Sequence, residues 1–276
     1  MSLIAIIGAG PVGSALAHKL AGRSRVAEVR LIDDNEPVAK GKALDILQAG
    51  PVDASCTAVT AEKSILAASG ADVIVFADDV SGAEHNGEKG LGLVRQLSEG
   101  GATAPFLFAG AAQRELMTRC LTELRIPSPR VIGSAPFALA SAVRALSAVV
   151  LDTSAVEISL NVFGVPPRRA VVSWQEGSVS GQPLPEVMGA HEIAALSGRV
   201  PSLWPPGPYA LASAAARVAE ALCDGSRRQF SCFVDVGRGQ IAAMPVELRR
   251  GGVQRVLDPA LTNLERTALQ SSLEDV

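Results

Sequence analysis

The sequence predicts an α/β protein in which a doubly wound parallel sheet is followed by an α+β domain. Three observations support this prediction: buried strand-like runs alternate with helical segments in the first half, a glycine-rich turn follows the first run, and the pattern changes after about Leu151. The 276 residues, 48% of them hydrophobic, supply enough apolar side chains for one large or two modest domains. We therefore divide the chain into residues 1–145 and 146–276.

The first half alternates strands and helices. Apolar periodicity predicts helices at residues 12–21 and 39–48. Runs that are apolar at nearly every position are typical of strands buried on both faces, as in a parallel sheet. The predicted strands are residues 3–7, 29–32, 73–76, 106–109 and 131–132.

The second half combines antiparallel strands with long helices. An Ala-rich helix is predicted at residues 209–222 and a final helix at 259–273, and Pro and Gly are dense from residue 165 to 208. The predicted strands are residues 156–163, 169–174, 230–236 and 240–248.

Composition excludes several classes of function. The 25 Lys+Arg and 28 Asp+Glu are nearly balanced, without a basic block, and aromatic residues make up only 4%, so we expect no nucleic-acid partner. No apolar stretch is long enough to span a bilayer and no signal peptide is present, so we expect a cytoplasmic protein. The four cysteines form no C-x-x-C pair, which predicts buried, reduced thiols and no metal site.

The turn after the first strand matches the dinucleotide fingerprint Gly-x-Gly-x-x-Gly. Its glycines allow a tight turn and let the backbone approach a pyrophosphate, which the N-terminus of the following helix attracts. An acidic residue about 20 positions further on, at the end of the second strand, suits the ribose hydroxyls and favours NAD over NADP. These features predict a Rossmann-type domain with NAD as cofactor. The predicted cofactor-binding residues are Gly8, Gly10, Pro11, Val12, Gly13 and Asp33.

Longer stretches, "IAIIGAGPVGSALAHKLAG", "VRLIDDNEPVAKGKALDILQAGPV" and "GADVIVFADD", resemble the lactate/malate dehydrogenase family, and most closely its malate dehydrogenases. Later stretches such as "PRVIGS" and "MPVELRRGGVQRVLDPALTNLE" agree. The resemblance implies an NAD-binding half, a substrate half, and reversible hydride transfer between NAD and a small 2-hydroxy acid. It also implies a homo-oligomer, with a dimer favoured, that pairs through helices such as that at residues 41–48.

The resemblance further implies four catalytic side chains, and this sequence departs from all of them. Val165 stands where the family has its proton-accepting His. In the helix "PFALASAVRAL", Leu139 replaces the Asp that orients this His, and Ala142 replaces the Arg that binds the substrate carboxylate. The loop "DDVSGAEHNGEKGLG" has no Arg before Arg95, and "AGAAQ" replaces the family's T-N-P turn. We therefore expect the ordinary malate or lactate reaction to be weak or absent.

Two residues are candidates to substitute for the missing groups. His85 lies in the loop expected to cover the cofactor, and its side chain can exchange a proton near neutral pH. Arg168 follows the turn where the family's His belongs and could hold a carboxylate. In the same cofactor-covering loop, Asp78 and Asp79 would repel a pyrophosphate and so weaken NAD binding.

Three hypotheses remain open. The first is a divergent NAD-dependent oxidoreductase, which requires a titratable side chain near the nicotinamide. The second is a non-catalytic NAD-binding regulatory or partner protein, which requires a cofactor-ready glycine turn and an inert cleft. The third is an interaction subunit that no longer binds NAD, which expects Asp79 or another side chain to fill the pyrophosphate space.

Overall fold

The computed structural model describes residues 2–23, 25–226 and 228–274. The strands of the first half are β1 (Ser2–Ile7), β2 (Val26–Ile32), β3 (Ala58–Glu62), β4 (Val73–Phe76), β5 (Phe106–Phe108) and β6 (Val131–Gly133). These strands are parallel and lie in the order β3-β2-β1-β4-β5-β6, so the predicted doubly wound parallel sheet is confirmed. The helices are α1 (Pro11–Ala21), α2 (Glu36–Ala49), α3 (Gly87–Glu99), α4 (Arg114–Thr122) and α5 (Ala135–Val150).

The second half extends the same sheet with antiparallel strands, in the order β6-β12-β13-β8-β9, while β14 pairs with β13. A separate small sheet has the order β11-β10-β7. The strands are β7 (Ile158–Ser159), β8 (Val162–Val165), β9 (Arg169–Val172), β10 (Ser178–Val179), β11 (Gln182–Pro183), β12 (Gln229–Asp235), β13 (Ile241–Arg249) and β14 (Gly252–Val256). The helices are α6 (Leu184–Val187), α7 (Ala190–Arg199), α8 (Pro208–Asp224) and α9 (Asn263–Glu274).

The core of the first half is the sheet itself, buried between helices. The side chains of Phe76, Phe106 and Phe108 are completely buried, and the Phe76 and Phe108 rings stack with centroids 5.2 Å apart. The Ala-rich helix α8 packs against α1 and α5, because its small side chains let neighbouring helices approach closely. The core therefore holds the carboxyl ends of the parallel strands, where such folds bind ligands, in fixed positions.

Some predicted boundaries change. The strand predicted at residues 156–163 is split into β7 and β8, because the intervening Asn161 donates its backbone N–H to Ser173 Oγ and accepts from Ser231 Oγ. Strand β3 was not predicted. The proposed division at residue 145 falls inside α5, so the two predicted domains share a helix and a sheet, and the division stays a prediction.

The cysteines differ in environment. Cys120, Cys223 and Cys232 are buried, and burial raises the pKa of Cys120 to about 12 and that of Cys223 to about 11. Cys56 is exposed, so the prediction of a buried thiol is wrong there: it lies in the loop before β3, outside the core. Within the described ranges, no helix is long and apolar enough to cross a membrane, and no cluster of His, Cys, Asp or Glu could hold a metal ion.

Candidate functional site

The glycine turn joins β1 to α1, in the strand–turn–helix context that the sequence predicts. Gly8 has a φ of +106°, and a Cβ there would lie 2.2 Å from the backbone oxygen of Asp78. A Cβ on Gly13 would lie 2.1 Å from the carbonyl oxygen of Gly8. Pro11 occupies the first turn of α1, where its missing N–H costs nothing. The turn therefore requires glycine at both positions, for conformation and for close packing.

Asp33 directly follows β2 beside this turn and is buried. Its Oδ2 accepts a hydrogen bond from the backbone N–H of Ala9 (2.9 Å), and its Oδ1 accepts one from that of Asn35 (2.9 Å). A carboxylate has about four acceptor sites, so two remain for a ligand. The role of Asp33 in binding a ribose stays a prediction.

Asp78, which follows β4, occupies the N-terminus of α1. Its Oδ1 accepts hydrogen bonds from the backbone N–H groups of Val12 (3.0 Å) and Gly13 (2.9 Å), and its carboxylate is buried. Its own carbonyl oxygen accepts from Gly10 N–H (2.9 Å). The first N–H groups of a helix are those that bind phosphate. An aspartate of the chain therefore satisfies the groups that a pyrophosphate would use.

Glu84, in the same loop, makes a second contact of this kind. Its two carboxylate oxygens accept hydrogen bonds from the backbone N–H groups of Ala111 and Ala112, both at 2.8 Å. These groups lie in the "AGAAQ" turn after β5, and a Cβ on Gly110 would lie 2.1 Å from Glu84 Oε2. The loop of residues 77–86 is thereby fixed across the carboxyl ends of the strands by two acidic side chains.

His85 lies beside Glu84 and faces the glycine turn. Its side chain is buried, and its Nε2 would contact a Cβ on Gly8 at 3.0 Å. Within the described part of the chain this Nε2 has no hydrogen-bond partner. The His85 carbonyl accepts from Gln113 Nε2 (3.0 Å), which fixes the backbone. The imidazole therefore keeps one buried polar atom without a partner.

A cleft of about 150 Å³ lies between this loop, the ends of β1 and β2, and α3. It has apolar walls and a polar rim, and Lys89 pairs with Asp34 across its mouth (3.4 Å). The residues that line it include Ile7, Ile32, Asp33, Ile65, Asp79, His85 and Leu93. Sites for drug-sized ligands are larger, about 300–1,000 Å³. The cleft therefore has room for only part of a dinucleotide.

The cofactor implied by the fold, NAD, fits one half of this site. The cleft and Asp33 suit the adenosine half, since they lie at the end of β2 next to the glycine turn. The pyrophosphate does not fit beside the Asp78 carboxylate, because both would need the N–H groups of Val12 and Gly13. Asp79, by contrast, accepts hydrogen bonds from Ser81 and Ala83 within its own loop. The side chain that fills the pyrophosphate space is thus Asp78 and not Asp79.

The positions that the resemblance assigns to catalysis carry aliphatic side chains. Val165 ends β8 and donates its backbone N–H to Ser272 Oγ of α9 (3.0 Å). Leu139 is fully buried in an apolar cluster that includes Val143 and Val162. Arg144 lies over the Phe137 ring, 5.4 Å from its centroid. Val165 and Leu139 have no group that could accept a proton or grip a carboxylate.

The structure separates the two candidate catalytic residues. His85 lines the cleft, on the side of the glycine turn and Asp33. Arg168 is exposed on the turn between β8 and β9 and does not line the cleft. The catalytic role suggested for each stays a prediction, and the fold does not bring the two residues into one site.

Burial lowers the pKa of His85, and the positive charge of Lys89 lowers it further, while the carboxylates of Asp79, Asp33 and Asp34 oppose this. As the pH falls, His85 of the unfolded chain therefore takes up a proton before His85 of the folded chain does. The stability linked to a neutral His85 is fully present above pH 6.5, the ordinary pKa of histidine. We expect this stability to be lost as the pH falls below that value. Urea unfolding at about pH 7.5 and about pH 5 measures this loss. Between these two pH values, the free energy of unfolding should fall less in His85→Gln than in the wild type.

The control is His191→Gln, in the exposed first turn of α7, which should keep the wild-type pH dependence. Equal pH dependence in His85→Gln and the wild type would contradict the linkage to His85.

Sequence reasoning identified the glycine turn and Asp33, but it missed the bonds of Asp78 and the role of Glu84. The available signal was the place of Asp78 just after a predicted buried strand, at the sheet edge that also carries the glycine turn. Glu84 has no local signal, because its partners lie 27 and 28 residues further along the chain.

Comparisons with known proteins agree with this architecture. Residues 2–95 match the family model described as lactate/malate dehydrogenase, NAD binding domain. The chain is 30% identical to a malate dehydrogenase of Thermomicrobium roseum, over 99% of this chain and 95% of that protein. A malate dehydrogenase of Chlorobium phaeobacteroides is 27% identical, over 98% and 94% of the two chains.

Solved structures show the same fold. The malate dehydrogenase of Salinibacter ruber superposes with a TM-score of 0.89 at 23% identity, covering 99% of this chain and 94% of that one. A lactate dehydrogenase of Cryptosporidium parvum, complexed with lactic acid and NAD, superposes with a TM-score of 0.88 at 22% identity, covering 99% of this chain and 95% of that one. With the sequence match across nearly its whole length, the chain belongs to the lactate/malate dehydrogenase family, and its first part is that family's NAD-binding domain.

Proposed function

We propose that this protein is a non-catalytic member of the family that binds an adenosine-containing ligand in a regulatory or partner role, with ordinary malate and lactate turnover weak or absent. The observation that carries this proposal is the set of side chains opposite the cofactor domain: Val165, Leu139 and Ala142 stand where the resemblance implies His, Asp and Arg. Losing a general base alone lowers a rate by about 10²–10⁴-fold. The apolar packing of Leu139 supports the view that this wall is built for stability.

The second candidate function is a divergent oxidoreductase that acts on a small carboxylate with a different acid or base. The 30% identity to a malate dehydrogenase over nearly the whole chain favours it. His85 and Arg168 would then be the residues to examine, although they lie in different places.

Absorbance of NADH distinguishes the two candidates. We expect turnover of malate, lactate, oxaloacetate and pyruvate to be at least about 10²-fold below that of the Thermomicrobium roseum malate dehydrogenase assayed alongside. Turnover comparable to that control would overturn the proposal. Slow turnover that His85→Gln or Arg168→Ala abolishes would support the divergent oxidoreductase instead.

We further propose that the protein works in the cytoplasm as a homodimer. The four free cysteines, all within the described residues, suit a reducing compartment. On α2, the helix through which the resemblance implies pairing, Leu44 and Leu47 are exposed. Burying such side chains against a second copy would remove apolar surface from water.

A further inference from the structure

The cleft next to the glycine turn differs from a dinucleotide site in its charge. Asp78 already places a carboxylate on the N–H groups of Val12 and Gly13, and this carboxylate is buried. A phosphate attached to the ligand at this point would face a fixed negative charge and would find the donors occupied. The repulsion between two such charges is stronger near a protein interior than in water.

The rest of the cleft provides what a neutral nucleoside needs. Ile7, Ile32, Ile65 and Leu93 supply apolar walls for a flat base, and Asp33 retains acceptor sites for ribose hydroxyls. Lys63 and Lys89 also line the cleft, and Lys89 pairs with Asp34 at its mouth (3.4 Å), where both of these side chains are exposed.

His85 provides the independent sign that a ligand is missing. His85 is only 8% exposed and lines this cleft, and its buried Nε2, next to Gly8, has no hydrogen-bond partner within the described residues. A buried polar atom without a partner costs free energy, and a ligand that hydrogen-bonds to it recovers that cost.

We propose that this cleft binds an adenosine compound without a phosphate at the 5′ position, with Asp78 replacing the phosphate at the start of α1 and His85 Nε2 hydrogen-bonding to the ligand. The inference rests on the proposed function, in which an adenosine-containing ligand occupies this cleft without turnover. It goes further in naming the ligand as a nucleoside and in assigning Asp78 the role of selecting against phosphate.

Calorimetric titration of the full chain with adenosine, AMP, ADP and NAD tests the proposal without any variant. We expect adenosine to bind, and AMP, ADP and NAD to bind at least about tenfold more weakly. Tighter binding of AMP or NAD than of adenosine, or no heat with adenosine at millimolar concentration, would overturn it. The turnover assay is a separate readout, so the proposed function can fail while this inference stands.

Variants assign the roles. Asp78→Asn keeps the size of the side chain and removes its charge, so it should raise AMP affinity by about tenfold and leave adenosine affinity within about twofold. The control Asp53→Asn removes an exposed charge outside the cleft and should change neither affinity.

His85→Phe should weaken adenosine binding about tenfold, and His85→Gln, which retains a hydrogen-bonding group, should weaken it less. Unchanged adenosine affinity in His85→Phe, with its fold verified by circular dichroism, would contradict the assigned contact.

Discussion

Asp78→Ala is expected to lower the free energy of unfolding by about 2–4 kcal/mol, because it leaves the buried N–H groups of Val12 and Gly13 without an acceptor. It should also expose a helix N-terminus to solvent, which is a ready site for an anion. Inorganic phosphate should therefore raise the melting temperature of the variant and have little effect on the wild type. For a domain of this size, each kcal/mol corresponds to about 2–4 °C.

The matched control is Asp72→Ala. Asp72 also accepts a hydrogen bond from a backbone N–H, that of Leu3 (3.0 Å), and one from Arg250 (2.9 Å), but it does not cap a helix. This variant should lose stability without gaining protection from phosphate. If phosphate protected both variants equally, or neither, the role of Asp78 as a replacement for phosphate would be refuted.

Gly13→Ala is expected to destabilise the fold by about 3 kcal/mol or more. The added Cβ would press on backbone atoms, and there is no flexible side chain there that could move aside. The new Cβ would lie 2.1 Å from the carbonyl oxygen of Gly8, so the turn or α1 must shift. Urea unfolding followed by circular dichroism measures the loss. A shift of α1 should also weaken the contact between its N-terminus and Asp78.

The control for Gly13 is Gly92→Ala in α3. A Cβ on Gly92 meets no atom within 4 Å, and the residue is exposed in the middle of its helix. This change should stabilise the protein by about 0.5–1 kcal/mol, the usual difference between alanine and glycine in a helix. Equal losses in Gly13→Ala and Gly92→Ala would show that close packing at the turn is not the cause.

Much of the fold could be predicted because its signals are local. The apolar runs at β1, β4 and β5 and the spacing of Gly8, Gly10 and Gly13 indicated parallel strands and the strand–turn–helix unit. The break at Asn161 could not be predicted, because side chains from distant strands cause it.

The sequence by itself determined the doubly wound sheet, the glycine turn and the position of Asp33 after the second strand, since periodicity, steric freedom and spacing act between near neighbours along the chain. Only the tertiary structure decided what faces that turn. The loop of residues 77–86 has no periodicity of its own. Its path is set by contacts of Asp78 with α1, 65 and 66 residues away in sequence, and of Glu84 with the turn after β5. These carboxylates point inward because the backbone N–H groups of α1 and of the turn after β5 need acceptors. Their positions set the shape and charge of the cleft.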